Sequence, residues 1–124
     1  MHVMIIPTMG CPANCSYCWS SEQTSQIMTK DTVDDIINWL KNFKSEPTTF
    51  TFHGGEPLLA GYEFYEYALG AIADELSDLY PAYAIQTNLW LMDEKIAKLF
   101  KKYDIPVGSS LDGPRRFNDI QRGV

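Results

Sequence analysis

Basic side chains are scarce over most of this chain. Residues 1–92 carry three of them against eleven acidic groups, and the 124-residue sequence as a whole has a formal charge of −6 and a pI near 4.7. Affinity drawn from neutralised phosphates needs the opposite balance, which argues against nucleic acid as a partner. The lysines of the more basic residues 93–124 fall in one helical segment and read as a solvated helix face. No apolar run approaches the ~20 residues that span a bilayer. The opening Met1-His2-Val3-Met4-Ile5-Ile6 lacks both a basic flank and a small-residue cleavage site, so no membrane partner and a cytoplasmic location are expected. Cysteine occurs three times, only within positions 11–18. Three thiols so placed cannot build a disulfide framework and are better suited to act as ligands. Low-complexity tracts are absent as well. With 45% hydrophobic and 13% aromatic residues, the composition is that of one folded domain rather than a disordered chain.

What is present is a regular alternation of two hydrophobic periods. Residues 2–7 are apolar and β-branched and read as a strand, followed by Thr8-Met9-Gly10 and the cysteines. Val33, Ile36, Ile37, Leu40 and Phe43 recur at helical spacing over 30–44, with Asp31, Asp34 and Asp35 in the first turn, where the helix dipole favours them. Residues 48–53 form a second strand stopped by Gly54-Gly55. Tyr65, Leu69, Ile72, Leu76 and Leu79 mark one stripe of a helix over 62–79, with Pro81 just beyond. A third strand over 82–87 ends in Asn88. Asp93 then opens a helix with inner face Ile96, Leu99, Phe100 and Tyr103, and 106–111 is a fourth strand. Strands separated by helices require crossover connections, so the fold class is α/β with a parallel sheet. In such sheets functional groups gather at the C-terminal strand ends. The unusual clusters do fall there: the cysteines, His53-Gly54-Gly55-Glu56-Pro57, Gln86-Thr87-Asn88 and Ser109-Ser110-Leu111-Asp112-Gly113.

Cys11, Cys15 and Cys18 have C-x3-C-x2-C spacing, compact enough to surround one inorganic centre. Their residue types leave three readings open. A structural zinc site takes His53 or His2 as fourth ligand. A [4Fe-4S] cluster held by three thiolates keeps one iron open to a small molecule. Cys15 and Cys18 alone could form a thiol redox pair.

The motifs outside the loop bear on that choice. Together with Tyr17 before the last cysteine, Phe52-His53-Gly54-Gly55-Glu56-Pro57-Leu58-Leu59, Gln86-Thr87-Asn88 and Ser110-Leu111-Asp112-Gly113-Pro114 resemble the radical S-adenosylmethionine (SAM) superfamily. Within it they are similar to the branch of anaerobic sulfatase-maturating and peptide-modifying, SPASM-type maturases. The resemblance runs the length of the chain and rests on motifs in order at successive strand ends.

The resemblance implies that Cys11, Cys15 and Cys18 hold three irons of a [4Fe-4S] cluster and that the methionine moiety of SAM chelates the fourth. Gly54 and Gly55 would let backbone approach that moiety, and Glu56 would accept from its ammonium group. Ser110 and Asn88 are candidate polar contacts to SAM; the family pattern continues with glycine after Asn88, where this chain has Leu89. Tyr17 either lies by the adenine or is a loop residue that anchors itself in the core. His53 either faces the substrate or bonds to backbone, and Asp112 either lines the site or caps the following turn. The implied activity is reductive formation of a 5′-deoxyadenosyl radical that modifies a peptide or protein side chain, fed by a low-potential electron donor in an anaerobic setting.

The fold so implied is the first four β/α units of a partial TIM barrel with helices outside. About six units complete that barrel, so strands five and six and any auxiliary-cluster domain are expected beyond these 124 residues. An open four-strand sheet leaves an edge and a face uncovered, and self-association is expected. The alternatives are a zinc-binding module and a catalytically silent fragment of the same fold.

Overall fold

The computed structural model describes residues 1–19, 24 and 26–122. Four strands, β1 (His2–Ile5), β2 (Thr49–Phe52), β3 (Ala82–Gln86) and β4 (Val107–Gly108), alternate with α1 (Lys30–Leu40), α2 (Tyr62–Glu75), α3 (Glu94–Lys102) and α4 (Arg115–Gln121). The strands form one parallel sheet in the order β1-β2-β3-β4, with Ile5 opposite Phe52 and Phe52 opposite Ile85. Each crossover contains a helix, as parallel neighbours require.

Local chemistry sets the helix starts. Thr29, in extended conformation, caps α1 by accepting from the Thr32 N–H at 3.2 Å, and Asp93 caps α3 by accepting from the Ile96 N–H at 2.8 Å. Helix ends depart more from the sequence pattern. α1 stops at Leu40, and a turn at Asn42 and Phe43 replaces its expected last turn. Phe43 is accordingly not on the inner face: it is 41% exposed and lies edge-on to Trp39 at 4.8 Å. α2 stops at Glu75, and a 3-10 turn, Ser77–Leu79, carries the stripe onward, so Leu76 and Leu79 are still buried. β4 is two residues long instead of six. It lies at the sheet edge, where Ile85↔Val107 and Gln86↔Gly108 are its paired positions, and beyond Gly108 the chain leaves the ladder.

The strand period of two divides the sheet into unlike faces. Ile5, Phe50, Phe52, Tyr83 and Ile85 are buried beneath the helices, with Ile37, Tyr65, Leu69, Ile72 and Phe100 above them. Tyr65 is wedged edge-on between Phe52 and Phe100 at 5.2 and 5.3 Å. Each such side chain contributes about 1.5–3 kcal/mol by burial, and well-placed ring pairs add about 0.5–1.5 kcal/mol. The Tyr83 hydroxyl is buried without a hydrogen-bond partner among the described residues. The opposite face presents His2, Met4, Thr49, Thr51, Ala82, Ala84, Gln86 and Gly108, mostly small or polar, and Met4 there is 56% exposed. Parallel strands with helices confined to one face have the layering of a barrel wall, though the inner face here is smaller and more polar than the branched core that fills a closed barrel.

Candidate functional site

The turn after β2 and the loop after β1 are joined through backbone. Gly55 N–H donates to Thr8 O at 3.1 Å and Glu56 N–H donates to Gly10 O at 2.7 Å. This contact requires glycine: a Cβ on Gly55 would stand 2.3 Å from Gly10 O, and one on Gly54, whose φ is +128°, would stand 2.6 Å from Thr8 O. Close approach to a bound molecule is the expected reason for these glycines; independently of it, contact with the neighbouring loop already requires both. Gly10 is constrained in the same way, since its Cβ would fall 2.2 Å from Thr24 O. Thr8 completes the base of the loop, donating its hydroxyl to Gln26 O at 2.6 Å and accepting from the Gly10 N–H at 3.0 Å.

Glu56 extends this framework to β3. Its side chain is buried, 1% exposed, and accepts from Leu58 N–H at 2.9 Å, Thr87 Oγ1 at 2.6 Å and Asn88 N–H at 2.7 Å. A carboxylate is an acceptor with about four lone-pair sites, so three donors are accommodated with one site to spare. Asn88 is held as well: its Oδ1 accepts from Trp90 N–H at 3.0 Å, and its Nδ2 faces Cys11 Sγ at 3.7 Å. Leu89, at the family's glycine position, has φ +67°. The backbone there is left-handed, a conformation that glycine adopts without strain and leucine rarely does.

Cys11, Cys15 and Cys18 lie with Tyr17, His53, Gly55, Glu56, Asn88 and Ser110 around one cavity of about 490 Å³ at the C-terminal ends of the strands. Eight of the residues singled out from sequence are thus brought together with Gly55, and Gly54 packs just behind them. Cys11 is half-buried, and burial pushes its thiol above the usual range; the Ala13 N–H, 3.4 Å from the sulfur, opposes this, and nearby Glu56 reinforces it. His53 Nδ1 accepts from the Gly54 N–H at 2.8 Å, and Ser110 Oγ accepts from Gln86 Nε2 at 3.1 Å. Tyr17, 56% exposed, donates its hydroxyl to Asp112 Oδ2 at 2.6 Å, which raises its pKa. Asp112 is not on the cavity wall. Its carboxylate serves Tyr17 and Arg122, and its own N–H is capped by Asn118 Oδ1 at 3.0 Å, the reverse of the expected turn cap.

Thr51, Gln86, Thr87 and Arg122 also line the cavity. Thr87 was signalled by its place between Gln86 and Asn88, whereas nothing in the sequence marks Arg122. Among the described residues no three His, Cys, Asp or Glu side chains come together as a single-ion site. His2, a candidate fourth zinc ligand, is bonded instead to Thr51 Oγ1 at 2.7 Å. A cluster with three thiolate ligands asks less of this loop: three cysteines on one wall, polar hydrogens near a sulfur, and acceptors opposite, all of which are present. A wider groove of about 860 Å³ crosses the outer side of α2, but it holds none of the strand-end residues. No helix among the described residues is long and apolar enough to cross a membrane.

Comparisons with known proteins bear on the family and the fold. A family model described as the radical SAM superfamily matches residues 5–123. An uncharacterized protein of Methanothermobacter thermautotrophicus is 62% identical over 98% of this chain and 47% of its own length. The cysteine-type anaerobic sulfatase-maturating enzyme of Clostridium perfringens is 30% identical over 91% of this chain and 33% of its own length. Among solved structures, native anSMEcpe with bound AdoMet superposes with a TM-score of 0.87 at 30% identity, over 98% of this chain and 35% of that one. The same protein with bound AdoMet and the Cp18Cys peptide gives 0.85 at 31% identity, over 98% and 34%. The chain spans less than half the length of these relatives. Four β/α units in the order of a partial barrel, with a cysteine loop on the first and a Gly-Gly-Glu turn on the second, have one common setting: this chain belongs to the radical SAM superfamily.

Proposed function

We propose that this chain is the cluster- and SAM-binding part of an enzyme that modifies a peptide or protein side chain. The observation that carries the reading is the shared cavity, in which three cysteines face the Gly55-Glu56 turn, Asn88 and Ser110 at successive strand ends. In it Cys11, Cys15 and Cys18 would hold a [4Fe-4S] cluster, leaving one iron for SAM. When bound, the pair supplies one-electron cleavage of the SAM sulfonium and a 5′-deoxyadenosyl radical able to take a hydrogen atom from substrate.

The chain's own residues position and shield. Glu56 holds three donors on one buried carboxylate and retains an acceptor site for the SAM ammonium group. Asn88 Nδ2 directs a polar hydrogen toward Cys11 Sγ, which offsets thiolate charge. Ser110, oriented by Gln86, is a polar contact for SAM, and each such hydrogen bond is worth about 1 kcal/mol. Tyr17 offers a half-exposed ring beside the cysteines for the adenine, and His53 borders the open side where a peptide would enter. A relative named as an anaerobic sulfatase-maturating enzyme and a similar structure with a bound peptide support the substrate class. The one-electron chemistry calls for a low-potential electron donor, and an anaerobic cytoplasm is the proposed setting.

Anaerobic reconstitution with iron and sulfide, followed by electron paramagnetic resonance of the reduced chain with and without SAM, tests the reading. A cluster signal that changes on adding SAM is expected. Retention of zinc with no cluster, or of neither metal, would overturn it.

A further inference from the structure

The cysteine loop is fastened a second time, far from the Gly-Gly turn. Ser16 N–H donates to Gln121 O at 2.8 Å, and the Ser16 hydroxyl bonds Gln121 Oε1. One residue on, Tyr17 donates to Asp112 Oδ2 at 2.6 Å, and Arg122 Nε donates to the same oxygen at 3.1 Å. The Arg122 guanidinium also lies 5.8 Å from the Tyr17 ring centre. Asn118 Oδ1 accepts from the Asp112 N–H at 3.0 Å and fixes the residue that carries the carboxylate. Tyr17 and Asp112, 95 positions apart, and Ser16 and Gln121, 105 apart, are thereby tied together, the first just before α4 and the second at its end.

Burial does not explain this arrangement. Tyr17 is more than half exposed, so packing does not hold its ring. An isolated surface ion pair contributes little. Here one carboxylate oxygen accepts two donors while its backbone is held by a third group, and the ion pair is largely shielded, with Arg122 18% and Asp112 30% exposed. The two fastenings also divide the loop. Gly10 and Cys11 are set by the turn after β2, whereas Tyr17, between Cys15 and Cys18, is set by Asp112.

We propose that Asp112 is a positioning residue that, through Tyr17 and Arg122, fixes the Cys15–Cys18 half of the loop against the end of α4 before any cluster binds. Its bearing on cluster retention rests on the function proposed above; the anchoring itself does not. Asp112 is thereby assigned neither to substrate nor to a turn cap.

Two measurements test this. In the cluster-free chain under anaerobic conditions, hydrogen exchange at the Ser16 amide should rise at least about tenfold in Asp112→Ala and in the milder Tyr17→Phe, with the β2 amides unchanged. A smaller rise, or one shared by β2, overturns the proposal. In the reconstituted chain, both variants should shorten the half-life of the cluster under chelator at least about threefold, and a smaller effect would overturn the link to the cluster. Failure of the parent chain to take up any cluster refutes the proposed function, while the exchange result still decides the anchoring.

Discussion

Replacing Glu56 should cost stability even in a chain that holds no cluster or SAM. The carboxylate is 1% exposed and accepts from Leu58 N–H, Thr87 Oγ1 and Asn88 N–H, at 2.9, 2.6 and 2.7 Å. Glu56→Gln keeps the shape and exchanges one oxygen for an NH2 group. Placed toward Asn88, that group meets an N–H donor; placed toward Leu58, it meets another. The Thr87 hydroxyl can turn to accept, but the amides cannot, so one buried donor is left facing a donor at a cost of about 1–3 kcal/mol. Glu56→Ala removes the acceptor for all three. At about 1.5–3 kcal/mol for each bond to a charged group, the sum would exceed 4 kcal/mol, and water entering from the adjoining cavity offsets part of it. A loss of about 3–5 kcal/mol is therefore expected for the alanine variant. Urea unfolding of the cluster-free chains, anaerobic and followed by far-UV circular dichroism, measures both. The outcome that would falsify this reasoning is a Gln variant within about 0.5 kcal/mol of the parent: Glu56 would then serve a ligand and not the junction of the three loops.

Tyr83→Phe removes a buried hydroxyl that has no partner among the described residues, and should raise stability by about 1 kcal/mol. Burial pushes the Tyr83 pKa up to about 12. The folded chain therefore holds its proton longer than the unfolded one, so this residue's share of stability is intact below pH ~10 and is lost as pH rises through the folded value. The phenylalanine variant should lack that share of the alkaline decline in a pH series of melting curves; an unchanged slope with lower stability would contradict this. Leu89→Gly, at φ +67° on a half-exposed side chain, should stabilise by about 1 kcal/mol because the left-handed conformation no longer carries a Cβ; thermal unfolding with a lowered midpoint would count against it. The uncovered sheet face, with Met4 56% and Ile6 42% exposed, should pair with a second copy of the chain. Light scattering should then give a mass above 14.1 kDa, and a single species at 14.1 kDa would refute pairing.

Much of the fold was legible because its signals are local. Thr29 and Asp93 cap the helices they precede, and the stripes of α2 and α3 lie within a few residues of one another, so periodicity identified both faces. The positions that were misjudged depend on distant parts of the chain. β4 pairs with β3 only through Val107 and Gly108, and where that pairing stops depends on the partner strand, which no property of 106–111 reveals. Phe43 follows helical spacing, yet its helix has already turned. That the cysteines, Glu56 and Ser110 gather at the strand ends around one cavity was legible from motif and position. The use of Glu56 was not, since two of its donors come from Thr87 and Asn88, more than thirty residues on. The partnership of Tyr17 with Asp112 and Arg122 lay further still from any local pattern.

The backbone contact between Gly10 and Gly55 fixes the floor of the site without side chains. Side-chain contacts can be retuned by a change of rotamer or by one methylene. Two peptide planes in direct contact have neither freedom, so the distance from the first cysteine to the Gly-Gly turn is set by covalent geometry and a pair of hydrogen bonds. Variation in what such a chain acts on would then have to come from the side chains around the cavity, such as Ser110 after β4 and Arg122 at the end of α4, which that backbone contact does not fix.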